Sequence, residues 1–346
     1  MHEKFIDRCI ELALLGKADV APNPMVGSVI VHEGKIIGEG YHMKCGGPHA
    51  EVNAINSVSD DELLKNSTIY INLEPCSHYG RTPPCSILIL EKQIPRVVVG
   101  CIDTFSKVSG KGVEMLQKGG CEVIVGVKEK ECIELNKRFF TYHSKTRPYV
   151  ILKWAETKDG FIDVLDDGTE SPKGIWITNN LARVLVHKWR SEESAILVGT
   201  KTAQKDNPKL NVREWTGKSP LRLVIDRNLT LDKSLNIFDK SIPTIVYNNK
   251  GNDNFDNLEY VNIDFENLPC QILQDLNKRD ILSVIVEGGT VLLKSFIDEG
   301  LWDEARVFIG GISFGDGVKA PVIKGKIMST EYIGNCKLDR IINSEL

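Results

Sequence analysis

Three potential metal ligands and one carboxylate lie within a short stretch of the first 85 residues. His49-Ala50-Glu51 is followed by Pro75-Cys76 and, after a loop, by Cys85. A catalytic zinc ion takes three protein ligands and leaves its fourth tetrahedral position to water. His49 can supply an imidazole nitrogen, and the two cysteines can supply thiolates. The ion then lowers the pKa of the bound water. Glu51 need not bind metal, and it can carry a proton from that water to a leaving group.

This order of residues is typical of zinc-dependent deaminases that act on amino-substituted nucleobase rings. The spacing differs from the commoner Cys-x-x-Cys pair, because residues 77–84 separate the two cysteines. The alternative is a loop that carries two unrelated cysteines and a surface histidine. His-Ala-Glu upstream and the proline before Cys76 favour the metal site.

Composition places the chain among two-domain globular proteins. A chain of 346 residues is too long for a single ordinary hydrophobic core. Its net charge of -4 provides no overall positive potential that would attract nucleic acid. A hydrophobic content of 42% and a mean hydropathy of -0.15 are ordinary for a globular chain. No signal peptide and no bilayer-spanning apolar run are evident. The nine scattered cysteines favour a reducing compartment, so we expect a cytoplasmic protein without membrane association.

The hydrophobic pattern predicts two successive α/β units separated by a polar linker at His143–Pro148. The first unit opens with a helix over Phe5–Gly16 and closes with a single helix over Lys128–Thr141. The predicted strands are Val26–Val31, Ile36–Tyr41, Thr68–Leu73, Arg96–Gly100, Val123–Val125, Tyr149–Ala155, Ala195–Val198, Leu221–Ile225, Thr244–Tyr247, Ser283–Val286 and Ala305–Ile309.

Two turns in the second half carry residues that suit ligand binding. Glu287-Gly288-Gly289-Thr290 joins a strand to a helix, and glycines at such a turn let backbone N–H groups approach a phosphate. The alternative is a tight turn without a ligand. The segment Gly199–Arg213 follows another strand and carries hydroxyls, a carboxylate and an arginine. The alternative is that Asp206 and Arg213 are solvated loop charges, as such residues usually are.

Two charges occupy otherwise apolar strands. Lys153 and Glu287 each require a partner or a ligand, because an isolated buried charge is costly. A buried ion pair explains them as well as a ligand site does.

Together these features resemble the bifunctional deaminase–reductase family of riboflavin biosynthesis. The resemblance extends over nearly the whole chain. It rests on Ala21–Gly27, Pro48–Glu51, Leu73–Cys85, Trp176-Ile177-Thr178, Gly199–Arg213 and Glu287-Gly288-Gly289. The Gly-Arg-Thr-Pro-Pro insertion before Cys85 separates this family from cytidine and transfer-RNA deaminases.

The resemblance implies two α/β domains. Residues 1–145 would form a cytidine-deaminase-like domain with a three-layer mixed sheet, and residues 146–346 a dihydrofolate-reductase-like domain. The first would use one Zn²⁺ to deaminate a diaminohydroxy-phosphoribosylaminopyrimidine. The second would use NADPH to reduce the ribosyl chain of the product to ribityl. Small phosphoribosyl pyrimidines are then the partners, with no nucleic acid and no membrane, and we expect a homo-oligomer.

The resemblance also assigns roles to residues. His49, Cys76 and Cys85 would bind zinc, and Glu51 would be the catalytic proton carrier. The residues that match cofactor-contacting positions are Ala155, Trp176, Thr202, Asp206, Gly289, Thr290, Val291, Leu292, Leu293, Lys294 and Ser295. The residues that match substrate-contacting positions are Asn23, Lys153, Arg190, Leu210, Arg213 and Glu287. The two arginines suit the substrate phosphate, which guanidinium groups bind well.

Two segments depart from the family pattern. Gly174 stands where a substrate-contacting serine is usual, and Asp103-Thr104-Phe105-Ser106 replaces an Asp-Pro-Asn-Pro loop.

Two other functions remain open. One is a nucleic-acid-editing deaminase with an RNA-binding second domain, which the net negative charge disfavours. The other is a non-catalytic relative with a structural zinc, which the presence of Glu51 disfavours.

Overall fold

The chain forms two α/β units, Met1–Thr146 and Arg147–Leu346. The computed structural model describes residues 2–79, 83–103, 110–165, 176–251 and 253–344. Gly174 and positions 104–106, where the sequence departs from the family pattern, lie outside these residues. Among the helices of the described segments, none has the length and apolar character needed to span a membrane.

A five-stranded mixed sheet forms the centre of the first unit, in the order β2-β1-β3-β4-β5. The strands are β1 Gly27–His32, β2 Lys35–Tyr41, β3 Thr68–Leu73, β4 Arg96–Cys101 and β5 Glu122–Val125. β1 is antiparallel to β2 and β3, whereas β3, β4 and β5 are parallel. Every residue of β3 is buried, as expected for a strand covered on both faces.

Helices cover both faces of this sheet. They are α1 His2–Leu14, α2 Ala50–Asn56, α3 Cys85–Glu91, α4 Lys111–Lys118, α5 Glu129–Leu135 and α6 Lys137–Lys145, with a short 3-10 turn at Asp61–Asn66. α1, α5 and α6 contribute to one buried cluster, and α2, α3 and α4 to another. Successive strand residues alternate between the clusters, so that Val98 faces the first and Val97 and Val99 face the second. The result is a three-layer unit.

The prediction of one helix over Lys128–Thr141 was wrong. α5 and α6 are separate helices that meet at Asn136. The Asn136 side chain accepts a hydrogen bond from the Met25 N–H at 2.8 Å and donates to the Met25 carbonyl at 2.9 Å. This buried contact, 111 residues away in sequence, fixes the break. The linker prediction was wrong at 143–145, because α6 continues to Lys145 before Thr146 ends it in the left-handed region.

A nine-stranded sheet forms the centre of the second unit, in the order β11-β10-β9-β8-β12-β6-β13-β16-β15. Its strands are β6 Tyr149–Glu156, β8 Ala195–Val198, β9 Leu221–Ile225, β10 Thr244–Asn248, β11 Leu258–Asn262, β12 Ser283–Glu287, β13 Glu304–Ile309, β15 Gly325–Ile333 and β16 Cys336–Asn343. In this spatial order, all strands from β11 through to β13 are parallel to one another. β16 is antiparallel to its neighbour β13, and β15 is antiparallel to β16. β7 Phe161–Asp163 and β14 Val318–Lys319 form a separate ribbon.

The helices of the second unit are α7 Asn180–Glu192, α8 Thr200–Asp206, α9 Leu268–Lys278 and α10 Thr290–Asp298. Sequence patterns miss α8, β11 and the β15–β16 hairpin. The carboxyl ends of the neighbouring strands β8, β12 and β6 meet at one edge of the sheet, which is where ligands bind in open parallel sheets.

Candidate functional sites

Three elements of the first unit bring the predicted metal ligands together. His49 immediately precedes α2, Cys76 follows the carboxyl end of β3, and Cys85 is the first residue of α3. One ligand atom from each residue lies within 4.8 Å of the other two. Among the described residues, this is the group of histidine, cysteine and acidic side chains able to hold a metal ion.

The spacing of these atoms fits a tetrahedral zinc ion. Cys76 Sγ lies 3.6 Å and Cys85 Sγ 3.4 Å from His49 Nδ1. Ligands bound to zinc at the usual Zn–S and Zn–N distances would place sulfur and nitrogen about 3.5 Å apart. The three side chains therefore need little movement to hold the ion. They supply three ligands, so a fourth coordination position stays open.

Burial and neighbouring groups shift the pKa values of Glu51, Cys76 and His49. Burial, together with the nearby Cys76 thiolate, raises the pKa of Glu51 to about 7. The Cys85 thiol, with the help of His49 and the Cys85 N–H, lowers the pKa of Cys76 to about 4. Hydrogen bonding to Cys76 raises the pKa of His49. Glu51 is 3% exposed, so its carboxyl group is shielded from bulk water and sits beside the ligand set.

A short hydrogen-bonded chain connects Asn23 to the metal-ligand segment. Asn23 Nδ2 lies 3.0 Å from His42 Nε2, and His42 Nδ1 lies 3.0 Å from the Pro48 carbonyl. The carbonyl can only accept, so His42 carries its proton on Nδ1 and accepts from Asn23 through Nε2. Burial lowers the pKa of His42. His42 was not among the predicted site residues, although a histidine directly after a strand and seven residues before a ligand is a usable signal.

In the second unit, Lys153, Arg190 and Glu287 meet near the carboxyl edge of the sheet. Glu287 and Lys153 are paired across β12 and β6. Glu287 Oε2 lies 3.1 Å from Arg190 Nη2 and 3.8 Å from Lys153 Nζ. Arg190 Nε and Glu287 Oε1 are buried and have no hydrogen-bond partner among the described residues. Unpaired buried polar atoms are costly, so this cluster has capacity for a polar ligand.

His187 connects this cluster to Arg213. It lies three residues before Arg190 on α7, and its Nδ1 accepts the Arg213 backbone N–H at 3.3 Å. Burial and the charges of Arg190 and Arg213 lower the pKa of His187 to about 4. The Arg213 guanidinium is half exposed and contacts Asn211 and Glu214. His187 was not among the predicted site residues, because a lone histidine in a helix is common.

The β12–α10 turn forms an open backbone surface beside α8. Gly288 has φ +141, and a Cβ at Gly289 would meet no atom within 4 Å. Gly289 N donates to Thr202 Oγ1 at 3.2 Å, which joins this turn to α8. The first hydrogen bond within α10 runs from Leu293 N to Gly289 O, so the preceding N–H groups have no partner inside the helix. Such N–H groups suit a phosphate of a dinucleotide.

The other predicted cofactor residues divide by exposure. Val291 and Lys294 are exposed, Leu292 and Leu293 pack in the hydrophobic core, and Ser295 Oγ donates to the Leu292 carbonyl. The side chains of the two leucines are therefore not available to a ligand. Thr290 Oγ1 donates to the Lys319 carbonyl.

The remaining predicted residues lie in several places. Ala155 lies near the carboxyl end of β6, Asp206 is the exposed last residue of α8, and Trp176 is exposed with Arg183 5.9 Å from its ring. Leu210 is 1% exposed and belongs to the core. The whole residue is covered, backbone included, and its backbone adopts φ +51.

Two family models match the chain, one in each unit. Residues 1–101 match the cytidine and deoxycytidylate deaminase zinc-binding region. Residues 148–342 match the RibD C-terminal domain. The predicted two-domain α/β class is confirmed.

Sequence relatives cover most of the chain. It is 42% identical over 324 residues to the riboflavin biosynthesis protein RibD of Aquifex aeolicus, covering 92% of this chain and 89% of the relative. It is 36% identical over 336 residues to RibD of Bacillus amyloliquefaciens, covering 94% and 89%.

A solved structure from Thermotoga maritima aligns over 99% of this chain and 98% of its own, with 37% identity and a TM-score of 0.89. That protein is described as a diaminohydroxyphosphoribosylaminopyrimidine deaminase and 5-amino-6-(5-phosphoribosylamino)uracil reductase. RibD of Acinetobacter baumannii aligns over 99% and 98%, with 32% identity and a TM-score of 0.88.

Proposed function

We propose that residues 1–145 carry the deaminase and residues 146–346 the reductase of this chain, which belongs to the RibD family of riboflavin biosynthesis proteins. The chain is a bifunctional enzyme of riboflavin biosynthesis that uses Zn²⁺ and NADPH. Its substrates are small phosphoribosyl pyrimidines. The assignment of each step to particular residues is our proposal.

The observation that carries the deaminase assignment is the ligand trio beside a buried carboxyl group. His49, Cys76 and Cys85 would hold the zinc ion, with distances that already suit tetrahedral coordination. Bound zinc would supply a water molecule of lowered pKa near the substrate ring.

Glu51 would transfer the protons of this reaction. Its buried carboxyl group beside the ligand set would take a proton from the attacking water and return it to the departing ammonia. Asn23, held by His42, would orient the substrate through its amide group. Overall, water replaces one ring amino group, and ammonia leaves.

Substitution of Glu51 tests the deaminase assignment. We expect Glu51→Gln to retain zinc and to lose about two to four orders of magnitude in deamination rate, because an amide cannot exchange the proton. Glu62→Gln is the matched control, since Glu62 is exposed and pairs with Lys65 on its own turn. Metal content by mass spectrometry and ammonia release are the measurements. An unchanged rate in Glu51→Gln would exclude Glu51 from the mechanism.

For the reductase we propose that Arg190, Arg213, Lys153 and Glu287 bind the phosphoribosyl substrate. The unpaired Arg190 Nε and Glu287 Oε1 support this role, because a substrate would give these buried atoms partners. Thr202, Asp206, Ala155, Trp176 and Gly289–Ser295 would bind NADPH, with the open Gly288-Gly289 turn next to a phosphate. Bound NADPH would supply the hydride for the sugar carbon.

A pair of variants tests whether the activities are separate. Arg213→Ala should lose most NADPH-dependent reduction, because a charge-assisted contact worth about 1.5–3 kcal/mol is removed. It should deaminate normally. Cys76→Ser should lose deamination and should still reduce deaminated intermediate supplied in the assay. If each variant lost both activities while folded, the assignment of one site to each unit would be wrong.

We also propose a cytoplasmic homo-oligomer that does not bind nucleic acid. The described cysteines are all free thiols, which supports a reducing compartment. The net charge of -4 supports the absence of nucleic-acid binding. Light scattering would test the oligomeric state.

A further inference from the structure

The Glu74 carboxylate accepts four backbone hydrogen bonds directly behind the metal-ligand segment. Oε1 accepts from Gly112 N at 2.8 Å and Val113 N at 3.3 Å, and Oε2 accepts from Gly110 N at 2.9 Å and Asp103 N at 3.2 Å. Glu74 is 5% exposed. The carboxylate therefore joins the end of β4 to the start of α4, and it also suits the positive end of the α4 dipole.

The backbone of the same segment is also fixed. Glu74 N donates to the Cys101 carbonyl at 3.0 Å, which extends the contact between β3 and β4. On α4, a Cβ added at Gly112 would lie 2.0 Å from the Pro75 carbonyl oxygen. The first turn of α4 thus contacts Pro75 at a distance that only glycine allows.

α4 also contacts the second cysteine segment. Ser86 Oγ lies 3.1 Å from Met115 Sδ on α4 and donates to the Cys76 carbonyl at 3.0 Å. Cys76 Sγ accepts the Cys85 N–H at 3.2 Å. Both thiolate ligands therefore lie on backbone that α4 supports, and Glu74 holds the start of that helix in place.

We propose that Glu74 is a positioning residue of the metal centre, which fixes Cys76 by holding the start of α4 against Pro75. The inference rests on the proposed zinc site and adds to it a residue that does not contact the ion. A carboxylate is required, because each of its two oxygens accepts from two N–H groups. In glutamine an N–H₂ group replaces one of these oxygens, so two backbone N–H donors would face another donor and lose their acceptor.

The test is the zinc affinity of Glu74→Gln, measured by competition with a chromophoric chelator. Outer residues that orient metal ligands typically contribute about 10- to 100-fold in affinity, and we expect a loss in this range. Glu114→Gln is the matched control, because Glu114 lies on the same helix and pairs with Lys118 at the surface. NADPH oxidation by the second unit of the same protein should stay unchanged.

A stability control separates positioning from general weakening. Val98→Ala creates a cavity in the buried part of β4, 1% exposed, and should lower stability without changing zinc affinity. If Val98→Ala lost as much zinc affinity as Glu74→Gln at equal loss of stability, the positioning role would be refuted. An unchanged affinity in folded Glu74→Gln would refute it as well.

A second variant decides the matter if Glu74→Gln does not fold. Gly112→Ala keeps the carboxylate but forces α4 away from Pro75, although alanine itself favours helix. We expect the same loss of zinc affinity, and wild-type affinity in this variant would overturn the proposal. Absence of zinc binding by the wild-type chain would refute the metal site itself, whereas wild-type binding with unaffected variants refutes only the role of Glu74.

Discussion

Replacing Glu287 with glutamine removes the negative charge that lies between two partly buried cations, Lys153 and Arg190. Glu287 Oε2 lies 3.1 Å from Arg190 Nη2 and 3.8 Å from Lys153 Nζ, and the residue is 9% exposed. In Glu287→Gln the cations keep their positions and lose their shared counter-charge. We expect the second unit to lose stability and the reductase to lose activity.

The distances give the magnitude. With an effective dielectric constant of about 20, the attractions to Arg190 and Lys153 are about 5 and 4 kcal/mol. The carboxylate loses its hydration on burial, which offsets part of this gain. Removing one partner of a buried ion pair costs about 3–5 kcal/mol in practice. We therefore expect the free energy of unfolding of the second unit to fall by that amount.

Tryptophan fluorescence during urea unfolding is the assay. All five tryptophans lie between residues 154 and 302, so their emission reports on the second unit alone. Lys153→Met is the comparison, because Glu287 then keeps Arg190 as partner. In the double variant the loss in the free energy of unfolding should be smaller than the sum of the two single losses by about 0.5–3 kcal/mol, since the residues interact directly. A loss below about 1 kcal/mol in Glu287→Gln, outside the range for buried pairs, would refute the reasoning.

The same residue gives a pH dependence. Burial alone would raise the pKa of Glu287, but the charges of Arg190 and Lys153 outweigh it and lower that pKa. A lowered pKa means that the stabilisation is complete above the unfolded value of about 4.3 and is lost as the pH falls through the folded value. The stability difference between wild type and Glu287→Gln should therefore be constant near neutrality and shrink only in acid. A difference that shrank between pH 6 and pH 8, well above the range of about 4 where glutamate titrates, would contradict this assignment.

Three further predictions concern the first unit. A Cβ at Gly40 would lie 2.3 Å from Ala54 N and 2.7 Å from Ala50 O. Gly40→Ala should therefore displace α2 and abolish deamination, while NADPH oxidation persists. Normal deamination by this variant would contradict the close packing of Gly40 against α2. Asn136→Ala should leave the buried Met25 N–H without its partner, cost about 1–3 kcal/mol and accelerate amide hydrogen exchange in the first unit. Removal of metal by a chelator should abolish deamination and spare reduction, and added Zn²⁺ should restore it, whereas loss of both activities would show that the sites are not separate.

The amino-acid sequence determined the parts of the metal site that depend on short spacing. His49 and Glu51 are two residues apart at the start of one helix, and Cys76 follows a fully buried strand whose end is easily recognised. Ligand chemistry limits such a set to few functions. Most strands and helices were also predicted, because their apolar periodicity is local.

Only the tertiary structure decided which distant polar groups meet. Asn136 interrupts a helical pattern because its partner is Met25, and Glu74 binds the start of α4, 38 residues away at Gly112. Lys153 and Glu287 were recognised as charges in apolar strands, but their common contact with Arg190 depends on strand order and on the position of α7. Leu210 and Leu293 matched ligand positions and proved to be core residues. Hydrogen bonds and burial between remote segments depend on the three-dimensional path of the chain, which local residue patterns do not encode.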